Sequence, residues 1–186
     1  DLNRFFYEMI QSGCSHAVME VSSHSLILNR VYGLNFITAV FSNITSDHLD
    51  FHQTFEEYLK AKKILFDELS NDSFAIINSD DASGKDIVKN SRAKIVTYGM
   101  SDYSDYRIKD IRYDLNGTEF TITHNKVDYI INTSLIGTFN AYNATSAFAT
   151  AHSLGIDASK IMKGIKSSPQ VPGRFEVLGK GRKKVI

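Results

Sequence analysis

The chain has few of the residues that define several protein classes. A single cysteine among 186 residues cannot form an internal disulfide, which excludes a disulfide-stapled scaffold. The 21 basic and 21 acidic side chains cancel, whereas a general nucleic-acid binder would carry a basic surface. Two prolines and 11 glycines do not make a low-complexity linker, and no apolar run approaches the roughly 20 residues of a membrane helix. The composition fits one sizeable domain, or a piece of a larger protein.

The first residues are those of a helix and not of a start or signal segment. The chain opens with Asp1 instead of Met, and no charged-then-apolar signal segment follows. Apolar residues in 2–12 recur at helical spacing, and Gly13 provides a stop. We therefore expect the chain to begin inside a longer protein.

Short apolar runs separated by helical segments predict an α/β fold. The runs are 17–21, 38–42, 74–78 and 94–98, and polar residues or Gly99 follow them. Continuous apolar strands of this kind are typical of a mostly parallel sheet with helices on both faces.

The pattern changes to three strands rich in Ile, Tyr, Thr and Val after residue 105. The predicted strands cover 106–115, 118–124 and 127–135. Asn116-Gly117 is a strong signal for a type I′ hairpin turn, and Asn125-Lys126 is a weaker one. We expect an additional small antiparallel sheet here.

Two helices and a basic tail complete the prediction. The helices cover 140–153, closed by Gly155, and 158–165, and Asn140 is the expected cap of the first. The segment 180–184 is basic and contains glycine, as linkers do.

Polar side chains follow the predicted strands, and ligands of open α/β sheets bind at the carboxyl ends of strands. Glu20 and 22–24 follow the first run, 43–48 the second, and Asp80 with Asp81 the third. For the two aspartates an ordinary solvated turn is as good an explanation. Glu20 lies inside an apolar run, where a lone carboxylate is costly without a partner, and this favours a metal or ion-pair role.

The segment 47–52 concentrates two histidines and two aspartates. Imidazole and carboxylate groups can bind a divalent ion, but so short a cluster is more often a solvated loop. Both interpretations stay open on the spacing alone.

Lys62 occupies an unusual position on a predicted helix. Thr54 and Glu57 form a capping box, so a helix begins there. At about 100° per residue, Lys62 falls at the centre of the apolar stripe, whereas Lys60 and Lys63 point away from it. Burial favours a neutral, nucleophilic amine that can attack carbon dioxide to give a carbamate. The simpler alternative, slightly favoured by spacing alone, is a packed stem with its ammonium at the edge.

Several motifs, in order along nearly the whole chain, resemble the central domain of the Mur ligases and, within that family, its MurE branch. They are MEVSSH at 19–24, Arg30-Val31, FSNITSDHLDFH at 41–52, and the segments 58–66, 75–81, 137–143 and 171–177. The resemblance implies a cytoplasmic, ATP-dependent ligase that joins a carboxylate to an amine through an acyl phosphate. The implied substrates are UDP-MurNAc-L-Ala-D-Glu and a diamino acid, either meso-diaminopimelate or L-lysine, in peptidoglycan synthesis.

The resemblance also implies a metal site. Glu20 and His48 correspond to magnesium ligands, and Lys62 to a lysine carried as a carbamate that helps to hold the metal. By this resemblance Lys62 carries a carbamate, whereas spacing alone slightly favoured a packed stem with its ammonium at the edge.

The resemblance to the Mur ligases also implies roles for four further residues. Ser22 and Arg30 would contact the UDP-MurNAc-dipeptide, although Leu28 stands where the family often has Gln. Asn143 corresponds to the residue that meets adenine, and Arg174 to the arginine that reaches the ATP phosphates.

One family motif is missing from the chain. No G-x-x-x-x-G-K-[ST] phosphate loop occurs, and the nearest fragment, at 164–167, lacks the leading glycine. We expect 1–179 to be an N-terminally truncated central domain and 180–186 the start of a linker to a C-terminal domain. The isolated chain is then expected to be inactive.

Other functions remain as alternatives. A folylpolyglutamate synthase or a cyanophycin-type ligase fits less well, because the spacing from Ser22 to Arg30 differs. A catalytically silent Mur-like binding module would have no reason to keep Lys62 on an apolar stripe. A metal-dependent hydrolase built on Asp47, His48 and His52 is a more distant alternative.

Overall fold

A computed structural model describes residues 2–45 and 52–170. The helices are α1 (Leu2–Gln11), α2 (Ser23–Ile27), α3 (Phe55–Asp67), α4 (Gly84–Ile87), α5 (Thr138–Ser153) and α6 (Ala158–Ser167). The strands are β1 (Thr38–Phe41), β2 (Phe74–Asn78), β3 (Lys94–Gly99), β4 (Tyr106–Asp114), β5 (Gly117–His124) and β6 (Val127–Thr133). Of the helices described, none combines the length and the apolar character needed to cross a membrane.

All six strands form one sheet, in the order β1-β2-β3-β4-β5-β6. Strands β1 to β4 are parallel, and β5 and β6 are antiparallel to their preceding neighbours. The predicted α/β class with a mostly parallel sheet is confirmed. The antiparallel strands, however, do not form a separate sheet, because the start of β4 pairs with the end of β3 at Tyr98–Tyr106 and Gly99–Arg107.

Each face of the sheet carries its own hydrophobic core. Along β2, Ile76 points to one core, while Ala75 and Ile77 point to the other, as the two-residue repeat of a strand requires. Helix α5 covers the first face and α3 the second. Both faces of β2 are therefore buried, and this explains why its sequence is a continuous apolar run.

The predicted helix starts are partly confirmed. Thr54 caps α3, since its hydroxyl accepts the Glu57 backbone N–H at 3.2 Å. Asn140 does not cap α5. That helix begins after Gly137, and the Asn140 side-chain amide donates to the Ile136 carbonyl at 2.9 Å from within the first turn.

The predicted strand at 17–21 is wrong. The segment has no regular secondary structure, and Val18 is 99% exposed. In the described sheet, β1 is an edge strand whose only neighbour is β2, so 17–21 gains no backbone partner that would make it a strand.

One of the two hairpins has the predicted turn, and the other does not. The β5–β6 loop is Asn125-Lys126, and both residues have positive φ (49° and 67°), as a type I′ turn requires. The β4–β5 loop is Leu115-Asn116, and Gly117 is already the first residue of β5. The predicted I′ turn at Asn116-Gly117 is therefore wrong. The loop lies one residue earlier, and Leu115 and Asn116 lack the positive φ that a type I′ turn requires.

Candidate functional site

The carboxyl ends of β1 and β2 meet at one edge of the sheet, where hydrogen bonds join the segments that follow them. The Asn78 side-chain amide donates to the Ser42 carbonyl at 2.7 Å. The Asp81 carboxylate accepts the backbone N–H groups of Ile44 at 3.2 Å and Ser83 at 2.8 Å. Asp81 is thus engaged in shaping this edge.

Asp80 extends the same network to β3 and α5. Its carboxylate accepts the backbone N–H groups of Met100 at 2.6 Å and Ser101 at 3.1 Å, and the Tyr142 hydroxyl at 2.6 Å. Burial of the phenol and its bond to the Asp80 carboxylate raise the pKa of Tyr142, so the hydroxyl keeps its proton. The N-terminal half of α5 is thereby fixed at the edge.

Asn143 follows Tyr142 on α5 and is exposed. Its side-chain nitrogen lies 3.4 Å from Asn140 Oδ1, a long contact that leaves the amide available to a ligand. An exposed amide beside the carboxyl edge of the sheet can recognise the donors and acceptors of a purine base.

Lys62 lies half-buried on α3 beside a cleft of about 60 Å³. Its Nζ is 5.1 Å from the centre of the Tyr58 ring. The other cleft-lining residues are Val21, Leu26, Val40, Phe41, Ser42, Asn43, Leu65 and Phe66. The Lys62 side chain therefore lies at the carboxyl end of β1. It is also close to Val21, the residue between Glu20 and Ser22 in the sequence.

The other two lysines of this stretch differ from each other. Lys60 is exposed, as predicted. The Lys63 side chain is only 15% exposed and forms an ion pair with Asp67 one turn on. The prediction that Lys63 points away from the packed side is therefore wrong, because the aliphatic stem packs while the ammonium is neutralised along the helix.

Ser22 and Arg30 lie at opposite ends of the short helix α2, which the sequence analysis did not predict. The Ser22 hydroxyl caps the helix by accepting the Ser25 backbone N–H at 3.2 Å. At the other end Asn29 adopts positive φ, and the Arg30 N–H donates to the Ser25 carbonyl at 2.8 Å, as in a Schellman motif. The S-x-x-S spacing at 22–25 was the signal for this cap.

His52 is a site residue whose structural role the sequence did not reveal. It is 2% exposed, and its Nε2 hydrogen bonds with the Ser23 hydroxyl at 2.8 Å. Its ring stacks on Tyr58 with a centroid distance of 5.0 Å. A buried histidine thus connects the start of α2 with α3.

Glu20 is exposed, and this overturns the argument that burial demands a partner for its carboxylate. Within residues 2–45 and 52–170, no group of three His, Cys, Asp or Glu side chains is placed to hold a metal. His48 and Arg174 lie outside the described residues, as do Asp47 and the segment 180–186.

A larger groove of about 520 Å³ lies at the tip of the β4–β5 hairpin. Arg112, Glu119 and Lys166 are among its charged lining residues, and none of the predicted site residues lines it. The predicted site therefore does not coincide with this groove.

Comparison with known proteins identifies the family. Residues 1–151 match the family model described as Mur ligase middle domain. The UDP-N-acetylmuramoyl-L-alanyl-D-glutamate–2,6-diaminopimelate ligase of Cytophaga hutchinsonii is 44% identical over 175 residues, which are 94% of this chain and 35% of that protein. This chain thus spans about a third of the relative's length.

Solved structures agree with the sequence match. A structure of a UDP-N-acetylmuramoyl-L-alanyl-D-glutamate–2,6-diaminopimelate ligase superposes with a TM-score of 0.84 and 32% identity, covering 92% of this chain and 36% of that chain. The MurF ligase of Thermotoga maritima, in complex with ADP, has the same fold at 21% identity, with a TM-score of 0.69 over 86% of this chain and 36% of that chain. The chain belongs to the Mur ligase family, whose middle domain it matches over most of its length.

Proposed function

We propose that this chain is the middle domain of a ligase that adds a diamino acid to UDP-MurNAc-L-Ala-D-Glu at the expense of ATP, in peptidoglycan synthesis. The relative from Cytophaga hutchinsonii carries the name of such a ligase, with 2,6-diaminopimelate as the added residue. The observation that carries the proposal is the carboxyl edge of the sheet. Lys62 borders this edge beside Ser42 and Asn43, and the Tyr142–Asp80 bond holds Asn143 near it.

The nucleotide is proposed to bind at the α5 end of this edge. Asn143 presents an exposed amide that suits adenine, and the guanidinium of Arg174 suits the phosphates as a permanent cation with several donors. The MurF neighbour in complex with ADP supports a nucleotide site in this fold.

The UDP-linked dipeptide is proposed to bind beside α2. The hydroxyl of Ser22 and the guanidinium of Arg30 suit a polar, anionic substrate, and α2 places them at its two ends. The dipeptide carboxylate attacks the γ-phosphorus of ATP, ADP leaves, and an acyl phosphate forms. The amine of the diamino acid then attacks the acyl carbon, phosphate leaves with the bonding pair, and the amine loses a proton.

Repulsion between two anions is the physical obstacle in the first step. Magnesium supplies charge neutralisation to such a site, and Glu20 with His48 would hold it. An exposed carboxylate fits this ion, which keeps several waters and takes only one or two carboxylates together with substrate phosphates.

Lys62 is proposed to act as a carbamate. The ammonium first loses a proton, the neutral amine attacks carbon dioxide to form a C–N bond, and a second proton leaves the nitrogen, so that a cation becomes an anion. In the described part of the chain no carboxylate lies within ion-pair distance of the Lys62 amine, so the amine is not held in an ion pair and can meet carbon dioxide in the cleft. The resulting carboxylate would strengthen the magnesium site beside Glu20 and His48.

The domain limits belong to the same proposal. Residues 1–179 form the nucleotide-handling domain, and 180–186 begin a linker. A cytoplasmic location follows for an enzyme that consumes ATP. The proposed substrates include no nucleic acid and no membrane lipid.

The test is a ligation assay on a protein of the relatives' full length that carries these residues. Purified protein is mixed with UDP-MurNAc-L-Ala-D-Glu, ATP, magnesium and either meso-diaminopimelate or L-lysine, and phosphate release and the tripeptide product are measured. Product that depends on all four components supports the proposal. Absence of product with both diamino acids would refute it and favour a silent binding module. The 186-residue chain alone is expected to give no product.

A further inference from the structure

We infer that His52 is a positioning residue that sets α2, the proposed site of the UDP-linked substrate, relative to the Lys62 amine. The inference rests on the proposed function, because it assigns His52 a role between the substrate-binding helix and the carbamate lysine. The role assigned to His52 is exerted through Ser23 and Tyr58, which it contacts directly.

The first contact joins His52 to α2. Its Nε2 and the Ser23 hydroxyl are 2.8 Å apart, and both side chains are 2% exposed. A serine hydroxyl can donate or accept, so this bond forms with either tautomer of the imidazole. Ser23 follows the helix cap Ser22, so the bond fixes the end of α2 that carries the proposed substrate contact.

The second contact joins His52 to α3. The imidazole stacks on the Tyr58 ring at a centroid distance of 5.0 Å and an interplanar angle of 23°. Tyr58 is itself 5% exposed, so the stacked pair has little room to shift. One helical turn on, Lys62 Nζ lies 5.1 Å from the centre of the same tyrosine ring. The position of the Tyr58 ring therefore limits where the Lys62 amine can lie.

The two contacts use different chemistry and can be removed separately. His52→Phe keeps an aromatic ring against Tyr58 and removes the bond to Ser23. Ser23→Ala removes the same bond from the other side with the loss of one oxygen atom. Tyr58→Leu removes the stacking partner, and Tyr58→Phe, which keeps the ring, is its matched control.

The experiment measures steady-state ligation by the full-length protein with each variant, while thermal melting verifies folding. His52→Phe and Ser23→Ala are each expected to raise KM for the UDP-linked dipeptide about fivefold, with kcat and KM for ATP nearly unchanged, since one hydrogen bond is lost. The double variant is expected to match the single variants, because both remove one bond. Tyr58→Leu is expected to lower kcat without this KM change, and Tyr58→Phe, which keeps the ring, to retain a higher kcat than Tyr58→Leu.

The outcomes separate this inference from the proposed function. A wild-type protein without ligase activity refutes the proposed function and this inference with it. An active wild type with an unchanged dipeptide KM in both Ser23→Ala and His52→Phe refutes the positioning role alone. KM increases that multiply in the double variant would also refute it. If His52→Phe does not fold, Ser23→Ala decides, because so small a change leaves the core intact.

Discussion

The Tyr142 hydroxyl donates a hydrogen bond of 2.6 Å to the Asp80 carboxylate, joining residues 62 positions apart in the sequence. The same carboxylate accepts two backbone N–H groups that follow β3. One side chain therefore connects the ends of β2 and β3 with helix α5. Asn143, the proposed adenine contact, is the next residue on that helix.

Replacing Tyr142 by Phe should destabilise the chain by about 1 kcal/mol, since it removes one hydrogen bond to a charged acceptor that is partly exposed to water. The midpoint of urea unfolding measures this loss. Tyr103→Phe is the matched control, because Tyr103 is 93% exposed. Equal midpoints for the two variants would contradict a structural role of the Tyr142–Asp80 bond.

Replacing either of two glycines by alanine should change the stability of the chain, but in opposite directions. A methyl group at Gly117 would lie 2.0 Å from the Thr133 carbonyl oxygen, and its φ of 147° disfavours a side chain. We expect Gly117→Ala to cost more than about 2 kcal/mol. Gly164, in α6, has open space around it, so Gly164→Ala should stabilise the chain by about 0.5–1 kcal/mol. Chemical denaturation of both variants measures whether stability falls for Gly117→Ala and rises for Gly164→Ala. A Gly117→Ala protein as stable as wild type would contradict the first expectation, since the hairpin would then tolerate a side chain.

His152 should make stability depend on pH. Burial of its ring, and then the nearby His124, lower the pKa of His152, which also hydrogen bonds with the Tyr106 hydroxyl at 2.8 Å. The unfolded chain, with an ordinary histidine pKa of about 6.5, then binds more protons than the folded chain below that pH. Stability is therefore lost as the pH falls below about 6.5. Melting temperatures at pH 7.5 and 5.5 should show a larger drop for wild type than for His152→Gln, and equal drops would exclude this histidine as the cause.

Local signals in the sequence were sufficient for much of the fold. The limits of β2 and the start of α3 agree with the prediction, because a continuous apolar run and the Thr54 capping box both act within a few residues. The displaced turn before Gly117 shows the limit of such signals. Two-residue turn preferences do not fix the register of a hairpin when a strand carries a bulge, and β4 has one between Lys109 and Arg112.

The site was less accessible to prediction from sequence. Lys62 was singled out because a lysine on an apolar stripe is visible in the spacing alone. The bonds of Asp80 to Tyr142 and of His52 to Ser23 span 62 and 29 residues, and no local pattern encodes them. Glu20 was misjudged because an apolar run predicts a buried strand only if neighbouring strands are present.

The proposed magnesium ligands can be tested through the magnesium requirement of the enzyme. In the full-length ligase, Glu20→Gln and His48→Ala should raise the magnesium concentration needed for half-maximal activity, because each removes one ligand. Glu56→Gln, at an exposed position in the first turn of α3, is the control. Unchanged magnesium titrations in both variants would exclude Glu20 and His48 as ligands.

The most direct test of the account is the turnover of Lys62→Ala in the full-length ligase. We expect a loss of at least about a hundredfold, since a charged group of the site is removed, and a partial recovery when a short carboxylic acid is added. Lys60→Ala, an exposed position on the same helix, should keep the wild-type rate. Turnover of Lys62→Ala at the wild-type rate would contradict the carbamate role on which the proposed chemistry depends.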